Sequence, residues 1–185
     1  LSCGDTAVQI PCVKGYKTVF LTSETYTGDL GGLAGADAKC NALASVAGLD
    51  GTYKAWLSDS TGSPSTRFTQ STVPYARVDG VVIANDWDDL VDGSLLSPIN
   101  VTDNGVDVST SPLFAARNPW TGTDFSGGQF SASNGTCSNW MTDAGFIDIT
   151  PIGYALTPGI GWTEGVGEVS NWGCSNSLPL YCFEQ

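Results

Sequence analysis

The segment from Phe20 to Asp59 constrains the fold most, because it predicts a strand, a glycine-rich loop, a helix, a turn and a second strand in succession. Gly48 follows the helical part, where a helix commonly ends in a left-handed glycine. Apolar residues recur in that part at the spacing of one helical face. They are Ala36, Cys40, Leu43, Ala44 and Ala47. Since Cys40 lies on the apolar face, it can cross-link the helix to a distant part of the chain.

Strands are predicted on both sides of this helix. In residues 16–21, Val19 and Leu21 would face one side and Phe20 the other, because side chains alternate along a strand. The second strand, within residues 51–59, follows the same alternation from Tyr53 to Ser58. Asp79-Gly80 interrupts a β-rich stretch over residues 75–83 and predicts a hairpin turn. Residues 58–71 are rich in Ser, Thr, Gly and Pro and predict a surface loop.

Six cysteines and the absence of histidine limit the chemistry of the chain. An even number of cysteines without a Cys-x-x-Cys motif indicates disulfides formed in an oxidising compartment. The residues alone leave the pairing open. Without histidine, Ser–His–Asp and Cys–His catalysis and histidine-containing zinc sites are excluded. The cysteines are Cys3, Cys12, Cys40, Cys137, Cys174 and Cys182.

The charge balance limits the partners. The 185 residues carry a net charge of −12 with only seven Lys and Arg, and this argues against nucleic acid, heparin and anionic membrane surfaces. No apolar run approaches the ~20 residues needed for membrane insertion. Because the chain starts at Leu1 without Met, we expect a mature or excised fragment.

Several short motifs resemble the endostatin domain found at the end of certain collagens, a member of the C-type-lectin-like fold. A bacterial extracellular family of unknown function resembles the pattern equally well. The resemblance spans most of residues 16–185. Its densest part comprises Leu21-Thr22-Ser23, Gly31-Gly32, Gly35-Ala36-Asp37, Cys40, Ala47-Gly48-Leu49, Gly51-Thr52 and Ala55-Trp56-Leu57-Ser58. It continues at Val73-Pro74, Trp87, Trp120-Thr121-Gly122, Cys137-Ser138-Asn139-Trp140 and Leu180-Tyr181-Cys182-Phe183-Glu184.

The resemblance implies an α+β fold with a twisted, mainly antiparallel sheet, two helices, long loops and disulfide cross-links. It also implies nested Cys40–Cys182 and Cys137–Cys174 disulfides, and Cys3–Cys12 is then left as a local loop. Residues 1–15 become an N-terminal disulfide-closed extension and residues 16–185 the domain. Endostatin binds heparin through surface arginines and zinc through histidines near its N-terminus. With three arginines and no histidine here, neither property transfers.

Residues 85–89, Asn-Asp-Trp-Asp-Asp, allow two interpretations. The oxygens of Asp86, Asp88 and Asp89 would suit calcium, the one cofactor that this segment suggests. Alternatively, Asn85 or Asp86 caps a short helix whose first turn is acidic. The helix is favoured because Trp87, Leu90 and Val91 share an apolar face.

The loops predict a recognition function. They combine Asn, Asp, Ser, Thr and Gly with dispersed tryptophans, and rings beside amides and carboxylates suit sugars. We therefore expect no enzyme, but an extracellular adhesion module that binds a cell-surface or matrix glycan or protein through its long-loop face. It would be the terminal domain of a larger surface or fibre protein. The candidate ligand-binding residues are Trp162, Glu164, Asn171 and Trp120, with Trp162 as the best exposed candidate.

The chain lacks the Glu-Pro-Asn and Trp-Asn-Asp motifs of calcium-dependent lectins, so their sugar-binding mechanism is not supported.

The alternative function is a structural or assembly domain that caps or trimerises a fibre and has no ligand of its own. A homotrimer is compatible with both functions, but a monomer would weaken the second.

Overall fold

The computed structural model describes residues 15–113, 115–130, 136–144, 151–165 and 172–185. The Cys3–Cys12 pair, nearly all of the predicted N-terminal extension and Asn171 lie outside these residues. The strands are β1 (Lys17–Leu21), β2 (Tyr53–Ala55), β3 (Tyr75–Arg77), β4 (Val82–Ala84) and β5 (Tyr181–Glu184). The right-handed helices are α1 (Gly32–Val46), α2 (Pro64–Arg67) and α3 (Trp87–Leu90). Short 3-10 helices cover Val108–Thr110, Ala115–Arg117 and Ile160–Trp162.

The five strands form one sheet in the order β2-β5-β1-β3-β4. β1 pairs with β3 in parallel, and the other three pairings are antiparallel. The C-terminal strand therefore lies at the centre, where Cys182 faces Phe20 on one side and Ala55 on the other. The mixed α+β architecture with a mainly antiparallel sheet is as expected.

Both faces of the sheet are covered by apolar residues. Phe20, Tyr53 and Leu57 belong to a cluster on the α1 side. Val19 and Leu21 belong to a second cluster on the opposite side. The alternation predicted for the first strand is confirmed, and it explains why a strand of five residues can contribute to two cores. Over the described residues, no helix combines the length and hydrophobicity needed to cross a bilayer.

Helix α1 covers the α1-side core and also closes the free edge of β2. Its buried face contains the predicted Ala36, Cys40, Leu43 and Ala44. Asn41 accepts from the Tyr53 N–H at 2.8 Å and donates to the Tyr53 carbonyl at 2.7 Å. One turn earlier, Asp37 Oδ1 accepts from the Ala55 N–H at 2.9 Å. These bonds replace a missing neighbouring strand and protect the edge from pairing with another chain.

Among the described residues, two disulfides cross-link distant parts of the domain, in the pairing that the resemblance implies. Cys40–Cys182 joins α1 to β5 over a separation of 142 residues. Cys137–Cys174 joins two loop segments over 37 residues. In the chain-entropy description, loops of these lengths stabilise the folded state by roughly 5 and 4 kcal/mol.

The predicted turns and short helices are partly confirmed. β3 and β4 form the hairpin expected around Asp79-Gly80. The second predicted strand is shorter than expected, since β2 ends at Ala55. Residues 58–71 are not all loop, because Pro64 begins α2 and Ser63 and Thr66 form a capping box.

Candidate functional site

Two tryptophans expected to contact ligand are buried instead. Trp162 has no exposed surface, and its ring lies 4.8 Å from that of Trp56 and 5.7 Å from that of Tyr181. Trp120 is equally buried, and its Nε1 donates to the Tyr26 carbonyl at 2.8 Å. The expectation that Trp162 is exposed is therefore wrong, because its ring completes the aromatic core beneath β5.

Of the other two candidates, only Glu164 is described. It is half-buried and accepts a 3.3 Å hydrogen bond from the Phe125 N–H. Burial raises the pKa of the Glu164 carboxyl, and the nearby charge of Asp124 adds to the rise. Asn171 lies outside the described residues, so the structure does not bring the four candidates together.

The acidic segment 85–89 forms a helix cap, as the favoured interpretation predicts. Asp86 accepts from the Asp89 N–H at 2.9 Å and caps α3. Asp89 accepts from both the backbone and the side chain of Asn85, and Asp88 is exposed. Among the described residues, no three His, Cys, Asp or Glu side chains form a group that could hold a metal. These carboxylates cap α3 and form its acidic first turn.

A buried hydroxyl network holds the long loops against the sheet. Thr163 Oγ1 accepts from Trp56 Nε1 at 2.7 Å and donates to the Thr123 carbonyl at 3.0 Å. Thr121 Oγ1 donates to the Thr163 carbonyl at 2.6 Å. Ser58 Oγ lies 2.8 Å from Thr123 Oγ1. All four hydroxyl-bearing residues are fully buried, so they give the loops a fixed scaffold rather than a contact surface.

A cavity with both polar and apolar walls lies at the amino end of α1, and we call it the α1 cavity. Its volume is about 560 Å³, within the range of small-ligand sites. Three separate segments meet there, namely residues 31–37, 59–67 and 139–141. The lining residues are Gly31, Gly32, Leu33, Ala34, Asp37, Asp59, Thr61, Arg67, Asn139 and Met141.

The first wall of the α1 cavity is the start of the helix. Gly31 and Gly32 have φ of 78° and 72°, a left-handed conformation that glycine adopts without strain. The first turn carries no acidic side chain. The first N–H groups of a helix have no partner within it and carry partial positive charge. This wall therefore offers hydrogen-bond donors.

The second wall is an ion pair that also has a structural role. Arg67 Nη2 donates to Asp37 Oδ2 at 2.6 Å, and Arg67 Nη1 donates to the Leu57 carbonyl at 3.2 Å. The other oxygen of Asp37 is bonded to the Ala55 N–H. The pair thus ties α1 to β2 and α2 and fixes the cavity wall.

Asp59 supplies an acceptor at the α1 cavity. Only 4% of its surface is exposed, and its Oδ1 accepts from the Thr61 N–H, the Thr61 hydroxyl and the Gly62 N–H at 2.7, 2.7 and 3.2 Å. No described residue donates to Oδ2. Oδ2 is not among the fully buried side-chain atoms that lack a partner, so solvent reaches it and a ligand can replace that solvent. Asp59 is therefore poised to accept a hydrogen bond from a ligand.

A left-handed turn forms the third wall. Residues Cys137, Ser138, Asn139 and Trp140 have φ of 50°, 54°, 60° and 61°. Each such non-glycine residue costs roughly 1–2 kcal/mol relative to the right-handed form. The turn is held by the Cys137–Cys174 disulfide and by Trp140, whose Nε1 donates to the Ser58 carbonyl at 3.0 Å. The Trp140 carbonyl accepts from the Leu30 N–H at 2.9 Å.

The strained turn places two side chains at the α1 cavity. Asn139 Oδ1 accepts from the Ser60 hydroxyl at 3.0 Å, which leaves its amide group as a donor beside the cavity. Met141 follows directly, is 60% exposed and offers an apolar contact. Backbone strain of this kind persists where surrounding structure enforces it and is concentrated at functional sites.

Taken together, the α1 cavity offers donors from α1 and Asn139, an acceptor from Asp59, and apolar contacts from Leu33 and Met141. Its charges nearly balance, since Arg67 and the helix amino end offset two carboxylates. None of these residues was predicted from the sequence to bind a ligand. Two sequence features could have indicated this site. They are Gly31-Gly32 ahead of the helix and the turn-forming Asp59-Ser60-Thr61-Gly62.

The sequence profile of a family described as "Protein of unknown function (DUF1554)" matches residues 23–155, well over half of the chain. The chain belongs to this family. The match contains α1 and all three walls of the α1 cavity, so the site lies within the DUF1554 region.

A curated relative is the human collagen alpha-1(XVIII) chain. This DUF1554 protein is 29% identical to it over 126 residues, which cover 64% of the protein and 7% of the collagen chain. The similarity is thus confined to a small part of that much longer relative. It agrees in part with the resemblance to a collagen-terminal domain.

Proposed function

We propose that this DUF1554 protein is a non-enzymatic extracellular recognition module that binds a glycan or protein ligand in the α1 cavity. The observation that carries the proposal is the Asp59 carboxylate of the α1 cavity, whose Oδ1 is bonded within its own turn and whose Oδ2 has no described protein donor and is reached by solvent. Helix N–H groups and the Asn139 amide supply complementary donors nearby.

The composition of the α1 cavity favours a neutral, hydroxyl-rich ligand. Each sugar hydroxyl can donate to Asp59 and accept from a backbone N–H. Leu33 and Met141 can contact the C–H face of a ring. A multiply charged ligand would upset the near balance between Arg67 and the two carboxylates, and a polyanion would also meet a chain of net charge −12.

Fold and compartment are consistent with this function. Two disulfides indicate an oxidising, extracellular compartment. The sheet, the long helix and the nested cross-links suit a C-type-lectin-like fold of the kind found at collagen ends.

The proposal is tested with a glycan-array screen of the wild-type protein, run with millimolar calcium and with chelator. We expect binding in both conditions, because the α1 cavity needs no metal. Asp59→Asn retains an Oδ1 acceptor for Thr61 and Gly62 but replaces the oxygen at the cavity with an amide, so it should abolish the binding.

Asp124→Asn provides a matched control. Asp124 Oδ1 also accepts three bonds within its own turn, from the Ser126 N–H, the Ser126 hydroxyl and the Gly128 N–H, and it does not line the α1 cavity. Its binding should equal that of the wild type. Calcium-dependent binding, or equal loss in both variants, would contradict the proposed site.

The alternative function, a structural or assembly domain, is tested by measuring the oligomeric state. An assembly domain without a ligand should fail the array and form a constitutive trimer, which sedimentation equilibrium would detect. A monomer that binds glycan would support the recognition function. A trimer that binds no glycan would favour the structural or assembly function instead.

A further inference from the structure

The amino end of α1 holds two backbone donors that the described part of the protein leaves unused. The Gly35 N–H is bonded to the Gly31 carbonyl at 3.2 Å. The N–H groups of Leu33 and Ala34 come earlier in the turn and have no acceptor among the described residues. Both residues line the α1 cavity, and Ala34 is exposed. These two donors are therefore available to a ligand.

Gly32 lies beside both an acceptor and an apolar atom. A Cβ at this glycine would lie 3.5 Å from Met141 Sδ and 3.8 Å from the Asn139 carbonyl oxygen. No described residue donates to that oxygen, whereas the next carbonyl, of Trp140, accepts from the Leu30 N–H. Because glycine has no side chain, this position is left open beside the carbonyl oxygen and the thioether.

A secondary amide that carries a methyl group complements all three features. Its carbonyl accepts from the N–H of Leu33 or Ala34, and its N–H donates to the Asn139 carbonyl oxygen. Its methyl group contacts the Met141 thioether, which is a flexible and polarisable apolar group. A hydroxyl group could make the two hydrogen bonds, but it has no methyl for the thioether.

We propose that the α1 cavity binds the acetamido group of an N-acetylhexosamine. The proposal rests on the glycan-binding function proposed above and names the class of sugar. The cavity volume of about 560 Å³ admits one such residue. With the acetamido group beside Gly32, the ring hydroxyls are left to donate to Asp59 Oδ2, which belongs to the same cavity.

Charge argues against an anion as the ligand of these N–H groups. A carboxylate or phosphate would also accept from the start of a helix. It would, however, meet the Asn139 carbonyl oxygen beside Gly32 and the Asp59 carboxylate. The cationic side chain of the cavity lining, Arg67, is already paired with Asp37 at 2.6 Å. A neutral amide avoids this repulsion, because it offers a donor as well as an acceptor.

Matched ligands test the acetamido group on the wild-type protein. The methyl β-glycoside of N-acetyl-D-glucosamine is compared with methyl β-D-glucoside, which has a hydroxyl in place of the acetamido group. We expect at least tenfold tighter binding of the first, because the second loses the methyl contact and the amide hydrogen bonds. N-acetyl-L-alanine methyl ester carries the same acetamido group without hydroxyls for Asp59, so it should bind more weakly than the first glycoside.

The single methionine of the chain provides a local readout. Protein labelled with ¹³C-methyl methionine should give one signal for Met141, which the N-acetylglucosamine glycoside shifts in a saturable way. An intermolecular NOE should connect this methyl group with the acetyl methyl of the ligand. Methyl β-D-glucoside has no acetyl group and serves as the blank.

A pair of variants tests the thioether contact. Met141→Ala should weaken binding of the N-acetylglucosamine glycoside severalfold, because the acetyl methyl loses its apolar contact. Leu96→Ala is the matched control, since Leu96 is 57% exposed, against 60% for Met141, and does not line the α1 cavity. Its affinity for the glycoside should equal that of the wild type. Isothermal titration calorimetry measures both, and thermal unfolding shows that both variants are folded.

Equal binding of the two glycosides, or saturable binding without the NOE at Met141, would overturn the acetamido assignment. Tighter binding of N-acetyl-L-alanine methyl ester would overturn the sugar as its source and indicate an acetylated peptide. The proposed function fails separately. If other glycans bind and depend on Asp59, glycan recognition stands and only the acetamido assignment falls, whereas both fall if no glycan binds.

Discussion

At the scale of single residues, the molecule uses strained or buried polar positions to shape its surface. Four consecutive left-handed residues carry Asn139 to the α1 cavity and lead directly to Met141. The buried Thr163 hydroxyl satisfies Trp56 and thereby fixes the loop in which Trp162 lies. The left-handed turn and the Thr163 hydroxyl can each be tested by a single substitution.

Ser138→Gly should stabilise the protein, because Ser138 is exposed and has φ of 54°. Relief of the left-handed strain exceeds the entropic cost of glycine, so the free energy of unfolding should rise by roughly 0.5–1 kcal/mol. Ser45→Gly is the control, since Ser45 is exposed in the right-handed α1 and the same change should destabilise by about 0.5 kcal/mol. Urea denaturation measures both. If Ser138→Gly also destabilises, the turn is not left-handed in solution.

Thr163→Val should destabilise the protein by about 2–3 kcal/mol, because it leaves Trp56 Nε1 and the Thr123 carbonyl without partners in a buried site. The same change at the exposed Thr52 should have an effect within about 0.5 kcal/mol. Denaturant midpoints give the comparison. Equal effects at the two positions would show that the hydroxyl network adds no stability.

At the scale of elements, the features that could be predicted from the sequence are those set by residues close together in the chain. The helix face around Cys40 and the alternation of Val19, Phe20 and Leu21 are set by neighbours a few residues apart, and both are confirmed. The burial of Trp162 was missed because it depends on contacts with Trp56, more than 100 residues away in the chain. The α1 cavity was missed for the same reason, since it needs three distant segments.

The β3–β4 hairpin provides a test of pH dependence. Hydrogen bonding to Arg77 holds the pKa of Asp79 below its usual value, so the ionised carboxylate is favoured in the folded state. Its stabilising effect should be present at neutral pH and should be lost as pH falls through the lowered pKa. Because Asp79 is 39% exposed and screened by solvent, Asp79→Asn should cost only about 0.5 kcal/mol at pH 7.

Thermal melts at pH 7 and pH 3 check this expectation. The difference between the wild type and Asp79→Asn should be smaller at pH 3 than at pH 7, and it should vanish only at a pH low enough to protonate Asp79 in the folded state. In an Arg77→Gln background the same substitution should have almost no effect at either pH, because the partner is already absent. A constant difference across pH would rule out the charge of Asp79 as its source.

At the scale of the whole molecule, one sheet and the two disulfides of the described residues hold long loops in place. Cys40–Cys182 fixes the helix to the central strand, and Cys137–Cys174 holds the strained turn. The function expected from the sequence was a recognition surface built from loop tryptophans. The described tryptophans Trp56, Trp120, Trp140 and Trp162 are fully buried, so they provide stability, and the polar α1 cavity takes the place of that surface in the proposal.

The most direct test of the recognition site is to map the backbone amide signals of the protein by NMR during titration with its strongest glycan-array ligand. We predict that the largest shifts occur at Gly32, Leu33 and Ala34 and at the side-chain amide of Asn139, and that Asp59→Asn removes them. The largest shifts around Phe125, Ile160 and Glu164 would place the ligand on a different face and contradict the account.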